Sequence, residues 1–343
     1  MRKEVERLLG ESPTFLQILE EVSQVAPLEK PVLIVGERGT GKELIAARLH
    51  FLSNRWEGQF LKMNCAAIAD SLLETELFGH EAGAFTGASK THHGRFERAH
   101  GGTLFLDELA TTSMLVQEKL LRVIEYGEYE RVGGNKTMTC DVRLIAATNQ
   151  DLPDLANIGK FRSDLLDRLA FDVITLPPLR ERESDIQLLA EHFAITMASE
   201  LGHELFAGFT AQAMSRLIDY PWPGNVRELK NVVERCVYRS DPNSPVDQII
   251  FDPFKSPFRP VNAVLPPAAP AATEPKVAAV ETVDAATTYP IDLKQCVQDF
   301  EINHINAALA EAKHNQRKAA DLLGVTYHQL RGYLKKYDIL KDG

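Results

Sequence analysis

The sequence predicts an α/β fold with a parallel sheet over residues 1–176, an α-helical lid over 177–251, a linker over 252–290 and a small all-α helix-turn-helix domain over 291–343. Three observations carry this division. Short apolar runs, VLIV (32–35), TLFL (103–106) and VRLIAA (142–147), alternate with helical periods, as in a parallel sheet covered on both faces. Past LPPLRERESD (176–185) the strands stop, and helical patterns continue to about Arg239. From Asp252 to Pro290 the text becomes dense in Pro and Ala, with few large apolar residues after Leu265. As a flexible coil, that stretch separates its ends by roughly 35 Å.

Composition narrows the function classes. The chain has 343 residues, 44% hydrophobic and 25% charged, enough to bury a core in two or three domains. A net charge of -10 argues against a body that coats nucleic acid, so any DNA contact belongs to a local basic segment. Cys65, Cys140, Cys236 and Cys296 are far apart and form no C-x-x-C pair, which indicates neither a zinc site nor a disulfide framework. The opening MRKEVERLLGESPTF has no apolar secretory core, and no run reaches the roughly 18 apolar residues of a membrane span, so a cytoplasmic protein is expected.

The first strand ends at GERGTGKE, which comprises Gly36, Glu37, Arg38, Gly39, Thr40, Gly41, Lys42 and Glu43 and opens the helix LIAARLHFL. Glycines let successive N–H groups curl around phosphate oxygens, the helix N-terminus adds its dipole, and Lys42 offers a point charge to the β and γ phosphates. The pattern G-x-x-x-x-G-K is complete, but Glu43 stands where a magnesium-binding Ser or Thr is usual. In TLFLDE, Asp107 ends an apolar strand where it can hold Mg²⁺, and Glu108 can polarise water onto the γ-phosphate of ATP. AATN ends a third strand with Thr148 and Asn149, polar groups able to register the γ-phosphate. In open α/β sheets ligands bind beyond the carboxyl ends of the strands, so these endings should converge on one crevice.

Further candidates follow in chain order. Asn64 ends another possible strand (60–63) and is expected to hold Glu108 by a hydrogen bond; the plain alternative is a cap or turn. Arg162 and Arg168 in FRSDLLDRLAF are either solvated arginines paired with Asp164 or Asp167, or cations delivered to a neighbouring subunit's nucleotide. Arg227 lies early in a lid helix introduced by Pro223 and Gly224, within reach of its own chain's nucleotide. HEAGAFTGASK (80–90) has no regular period and sets Phe85 and Thr86 between Gly83-Ala84 and Gly87-Ala88. Such a hinged tip can rise or fall as a unit and present an apolar contact in one nucleotide state.

From Ile291 a helical period returns, with Leu293, Val297, Phe300, Ile305 and Leu309 on one face. Residues 313–341 then carry seven Lys/Arg against two Asp, the balance of a phosphate-facing surface. RKAADLLGVTYHQLRGYLKK has the cadence of a helix-turn-helix, with Ala319, Ala320 and Leu323 inward, a turn at Gly324, and Val325, Leu330 and Leu334 buried. That leaves Thr326, Tyr327, His328, Gln329, Arg331 and Lys335 near the DNA groove or backbone.

In this order, GERGTGKE, ELFGHEAGAFTGA, GGTLFLDE, QEKLLRVIEYGEYERVGG, VRLIAATN, FRSDLLDRL, LPPLRER and WPGNVRELKNVVER resemble the P-loop AAA+ domain of the bacterial enhancer-binding proteins, ATPases that activate sigma-54 RNA polymerase. The likeness runs from residue 10 to 240, and the C-terminal segment resembles a Fis-type helix-turn-helix. The resemblance implies a homo-hexamer with ATP and Mg²⁺ between subunits, Arg162 and Arg168 acting in trans, and Asn64 switching Glu108. It also implies that the Phe85–Thr86 loop grips the sigma-54 holoenzyme beside a second moving loop, YERVGG (129–134), while the C-terminal module holds upstream enhancer DNA, and that Glu43 is ordinary at its position.

Within the family the chain is most similar to the branch serving phage shock promoters, which implies a trans-acting inhibitor of the phage shock protein A type. With the P-loop starting at residue 36, control by a separate protein is the expectation. Trp56, on the polar loop SNRWEG, is a candidate anchor for that inhibitor or packs on its own domain. Two further classes remain for comparison: a DNA-binding regulator in which ATP controls oligomerisation only, and a helicase or unfoldase.

Overall fold

The computed structural model describes residues 8–254, 293–312 and 315–337, without the side chains of 293–297, 299 and 321. The chain divides at Pro260 into two compact units. The linker expected over 252–290 lies almost wholly outside the described residues.

In the first unit, α1 (Pro13–Val25) precedes β1 (Val32–Val35) and α2 (Lys42–Phe51), then β2 (Phe60–Asn64), α3 (Asp70–Phe78), the short α4 (Arg95–Arg98) and β3 (Thr103–Asp107). Next come α5 (Met114–Tyr126), a small antiparallel hairpin of β4 (Glu128–Glu130) and β5 (Thr137–Thr139), and β6 (Arg143–Thr148). The α/β part closes with α6 (Leu152–Asn157), α7 (Ser163–Leu169) and β7 (Val173–Thr175). Five strands form one parallel sheet in the order β2-β3-β6-β1-β7.

Alternation along each strand explains the two layers of helix. Val32 and Ile34 of β1, with Phe105, Ile145 and Ala147, pack on Phe15, Ile18 and Val22 of α1 and Ile45 and Leu49 of α2. Leu33, with Leu104, Leu106, Leu144 and Ala146, faces the opposite core beside Leu73, Leu77, Leu120 and Leu165. A strand buried on both faces has no polar position, which is why the central runs are continuous in sequence. Register sets the functional edge: Val35 pairs with Thr148 and Asn64 with Asp107, while Leu106 opposite Ala146 leaves the second pair of strand ends one residue short of the first.

Three helices follow, α8 (Glu183–Glu200), α9 (Ala211–Asp219) and α10 (Asn225–Arg239), around a core of Ile186, Leu189, Leu217, Trp222, Leu229 and Val233. A strap before α1 is tied to this bundle through Asp185, whose carboxylate accepts from Glu11 N (2.6 Å), Ser12 N (2.8 Å), Ser12 Oγ (2.7 Å) and Arg182 Nε (2.7 Å). Burial works to raise the Asp185 carboxyl, but these donors outweigh it and hold it below the usual carboxylate range. The Arg182 guanidinium stacks 3.8 Å from the centre of the Phe15 ring.

The second unit contains α11 (Leu293–Glu311), α12 (Gln316–Leu322) and α13 (Tyr327–Lys336). Ile305, Ala308, Leu309 and Ala312 of α11 meet Ala319 and Ala320 of α12 and Leu330 and Leu334 of α13. Leu323 and Val325 are only partly buried against this core. Phe300 departs from the expected face: it is 66% exposed, its ring edge-on to His304. Five residues separate it from Ile305, about 140° around a helix of 3.6 residues per turn, so the two cannot share one side. The side chains of Leu293 and Val297 lie outside the described residues.

Candidate active site

The P-loop leaves β1 and doubles back over the start of α2. Gly36 N donates to Thr148 O (3.2 Å), which ties the loop to the end of β6. Gly39 and Gly41 have φ of +83° and +97°. A Cβ at Gly39 would strike the Gly224 carbonyl, so the lid backbone requires glycine there. Thr40 Oγ1 donates to Glu37 O (2.9 Å), and Lys42 Nζ donates to Gly36 O (2.9 Å) and Glu37 O (3.1 Å) across the mouth of the loop. Burial pulls the Lys42 ammonium below its ordinary value, while the Asp107 and Glu108 charges oppose that shift. Glu43 is ion-paired with Lys62 at 2.8 Å.

At the end of β3, Asp107 Oδ1 accepts from Glu108 N (3.0 Å). Glu108 has the left-handed φ of +55°, an uncommon conformation for a side-chain-bearing residue. Thr111 holds it there, donating to the Glu108 carbonyl from both N (3.0 Å) and Oγ1 (2.8 Å). Asn64 takes its plain reading, capping the turn at 65–67, and makes no hydrogen bond to Glu108. Its Nδ2 lies 3.4 Å from Asp107 Oδ2 and its Oδ1 accepts from Ala66 N (2.9 Å), so this amide is committed to Asp107, not Glu108. Asn64 and Asp107 are register partners, and parallel neighbours turn their side chains to the same side. Thr148 is buried and accepts from Gln150 N (3.0 Å), whereas Asn149 is exposed. Beneath the acidic pair, burial pushes the Cys65 thiol up to about 12, which keeps it protonated and inert.

Lid and P-loop are joined directly. Val226 N donates to Gly39 O (3.1 Å), and Asn225 Nδ2 donates to Glu37 Oε2 (3.0 Å) and Arg38 O (3.1 Å). Arg180, in the segment joining sheet and lid, donates to Glu37 at 2.6 and 3.1 Å and holds that carboxyl below its usual range, with Asn225 assisting. Arg38 and Arg227 are exposed beside the loop. Sequence reasoning missed both Asn225 and Arg180; an Asn directly after Pro-Gly reads as an ordinary turn residue.

The two candidate trans arginines are engaged within the chain. Arg162 pairs with Asp164 (2.7 Å), as its plain reading expects, whereas Arg168 pairs with Glu125 (2.7 Å) and not with Asp167. Trp56 is 57% exposed.

The 80–90 loop turns at two glycines. Gly83 and Gly87 have φ of +85° and +103°, and a Cβ on either would meet open space. Between them Phe85 is 43% exposed, its ring edge-on to His80 at 4.9 Å, so one side of the ring has a partner that the sequence did not disclose. The base is bonded to the 129–134 segment: Glu81 N donates to Val132 O (3.1 Å) and Val132 N to Gly79 O (2.9 Å). Arg131 joins the same base, donating to Glu81 (2.8 Å) and Glu97 (2.9 and 3.1 Å).

In the C-terminal unit, Thr326 caps α13 through a capping box. Gln329 N donates to Thr326 Oγ1 (3.3 Å) and Thr326 N to Gln329 Oε1 (2.9 Å). The structure therefore uses two expected DNA contacts, Thr326 and Gln329, to start the helix. Tyr327 lies 6.0 Å from the Arg317 guanidinium, and His328, Arg331 and Lys335 are exposed on α13.

A nucleotide loop with an acidic strand end behind it, roofed by a helical lid bonded onto that loop, defines a P-loop ATPase of the AAA+ class. Comparison with known proteins agrees: residues 8–175 match the sigma-54 interaction domain, 180–249 the AAA+ ATPase lid domain and 297–337 the Fis family of bacterial regulatory proteins. The chain is 59% identical to the Psp operon transcriptional activator of Escherichia coli K12 over 335 residues, 97% of this chain and 98% of that one. It is 52% identical to the transcriptional regulatory protein ZraR of Salmonella typhimurium over 67% of this chain, which spans 52% of ZraR. NtrX from Brucella abortus, solved in complex with ATP, superposes with a TM-score of 0.65 at 31% identity, covering 97% of this chain and 70% of that one. The chain belongs to the family of sigma-54-dependent transcriptional activators: an ATPase domain with a DNA-binding helix-turn-helix, whose partners are sigma-54 RNA polymerase and DNA.

Proposed function

We propose that this activator hydrolyses ATP at the subunit boundaries of a hexameric ring and uses it to drive the Phe85 loop against the sigma-54 holoenzyme at phage shock promoters. The observation that carries this reading is the wiring of that loop: an aromatic tip between two positive-φ glycines, its base hydrogen-bonded to the 129–134 segment. Such a tip swings as one body when its base shifts. Identity over nearly the whole length to the Psp operon activator supports the promoter class, an inhibitor of the phage shock protein A type, for which exposed Trp56 is the anchor, and a cytoplasmic setting. No helix among the described residues is long and apolar enough to cross a membrane.

In this reading Gly36–Gly41 present backbone N–H groups to the phosphates, Lys42 neutralises the β and γ oxygens, and Arg38 and Arg227 flank them. Asp107 is the residue that would hold magnesium. Its carboxylate at a strand end suits an ion that takes most of its ligands from phosphates and water. Bound there, the ion neutralises developing charge on the phosphate oxygens. Glu108 orients the attacking water and accepts its proton, with Asn64 acting through Asp107, while Thr148 and Asn149 read the γ-phosphate. Arg162 and Arg168 leave their carboxylate partners to serve the neighbouring subunit's site. On DNA, Tyr327, His328, Arg331 and Lys335 face the duplex from a helix that Thr326 and Gln329 initiate.

The test is open-complex formation by sigma-54 polymerase on a phage shock promoter, wild type against Thr86→Ala, with ATP turnover measured in parallel. Activation should vanish while most hydrolysis survives. Full activation by the variant would refute the loop's role.

A further inference from the structure

Beyond the binding loop and the acidic pair, one side chain joins the P-loop, the segment between sheet and lid, and the start of α10. Asn225 is fully buried, with a left-handed φ of +51°. Its Oδ1 accepts from Leu179 N (2.8 Å), in the segment joining sheet to lid. Its Nδ2 donates to the Glu37 carboxylate (3.0 Å) and to the Arg38 carbonyl (3.1 Å), both in the P-loop. Its own backbone opens α10, two residues before Arg227. One carboxamide thus spends three of its hydrogen-bonding positions on two partner segments while its main chain fixes a third.

Backbone geometry alone does not account for this. A left-handed position after Pro-Gly is met most easily by Gly and also by Asn or Asp. The donor arrangement is more selective. An aspartate of the same shape would keep the acceptor toward Leu179 but set a carboxylate against Glu37 and a lone pair against the Arg38 carbonyl. A glycine would leave the Leu179 N–H without its partner. Only the amide has an acceptor on one arm and two donors on the other.

We infer that Asn225 is a positioning residue for ATP turnover: it locks the lid to the P-loop and thereby sets where Arg227 stands over the phosphates. It acts on the nucleotide only through the placement of Arg227, with Glu37 and Arg38 as its anchors on the P-loop. The inference rests on the proposed role of Arg227, and the two fail separately.

The experiment measures ATP turnover and fluorescent ADP-analogue binding for the full chain carrying Asn225→Asp, Arg227→Ala and the pair together. Losing two hydrogen bonds, one of them charge-assisted, and gaining a like-charge contact should raise the nucleotide Kd of Asn225→Asp by about tenfold or more. Glu37→Gln in the Asn225→Asp background restores a donor facing an acceptor, and should recover at least about a third of the lost affinity on a logarithmic scale, a rescue that a merely destabilised fold would not give. The double variant Asn225→Asp/Arg227→Ala should bind no worse than Arg227→Ala alone, because both changes remove the same placement. Should Asn225→Asp not fold, Glu37→Ala breaks the same contact from the exposed side and should weaken binding by about threefold or more. Normal Kd in Asn225→Asp with a damaged Arg227→Ala overturns the inference, as does strict additivity of the two. Normal behaviour of Arg227→Ala overturns the reading on which it rests.

Discussion

Asp185→Ala should loosen the lid and the strap before α1 at once. The substitution deletes a fully buried carboxylate and strands four donors: Glu11 N, Ser12 N, Ser12 Oγ and Arg182 Nε. Arg182, itself buried, loses the ion pair that compensates its charge. Breaking a buried pair by removing one partner costs about 3–5 kcal/mol. For a unit of this size each kcal/mol lowers the melting temperature by about 2–4 °C, so a fall of roughly 10 °C is expected. In a Trp56→Phe background, Trp222, buried in the lid core, makes intrinsic fluorescence a local reporter of that melt. The sign of the pH dependence is fixed by the depressed carboxyl of Asp185. A group whose folded pKa lies below its unfolded value of about 3.9 adds stability that is fully present above that value and disappears as pH falls through the folded one. The gap between wild type and Asp185→Ala should therefore be wide at pH 7 and shrink below about pH 4. A melt within about 2 °C of wild type at pH 7 would refute the assignment, because a compensated charge cannot be removed so cheaply.

Two further outcomes follow from the geometry. Gly133 has φ of +74°, and a Cβ there would come 2.5 Å from Ala84 Cβ. Gly133→Val should therefore detach the two loops from one another, leaving ATP turnover within about twofold of wild type while open-complex formation falls at least about tenfold, read by promoter-melting and phosphate-release assays. Leu330→Ala empties a core position of the C-terminal unit, so about 2–5 kcal/mol of that small unit's stability should go. A gel-shift assay should then report weakened promoter binding with DNA-independent ATP turnover unchanged.

What the residues disclosed and what they hid divides along physical lines. β1, β3 and β6 were legible because burial on both faces demands unbroken apolar runs, and the P-loop because its glycines answer to backbone conformation. β7, β4 and β5 were not, since three residues each leave no period to detect. Asn64 was placed at its strand end, but its partner was set by register with Asp107, which no single segment encodes. Phe300 carried an apolar signal without the spacing to share a face with Ile305. The clasp between lid and P-loop was invisible because Asn225 and Glu37 lie 188 residues apart and each alone looks like a surface or turn residue.

The bonded bases of the two loops also bear on how such activators can be rebuilt. Val132 sits between Gly79 and Glu81 in strand-like pairing, so a one-residue insertion in either stretch would rotate the facing side chains out of alignment. A chimera that imports the aromatic arm from another activator without its companion would inherit a mismatched socket. The two stretches should be transplanted as one cassette, although residues 91–128, which include β3 and α5, lie between them.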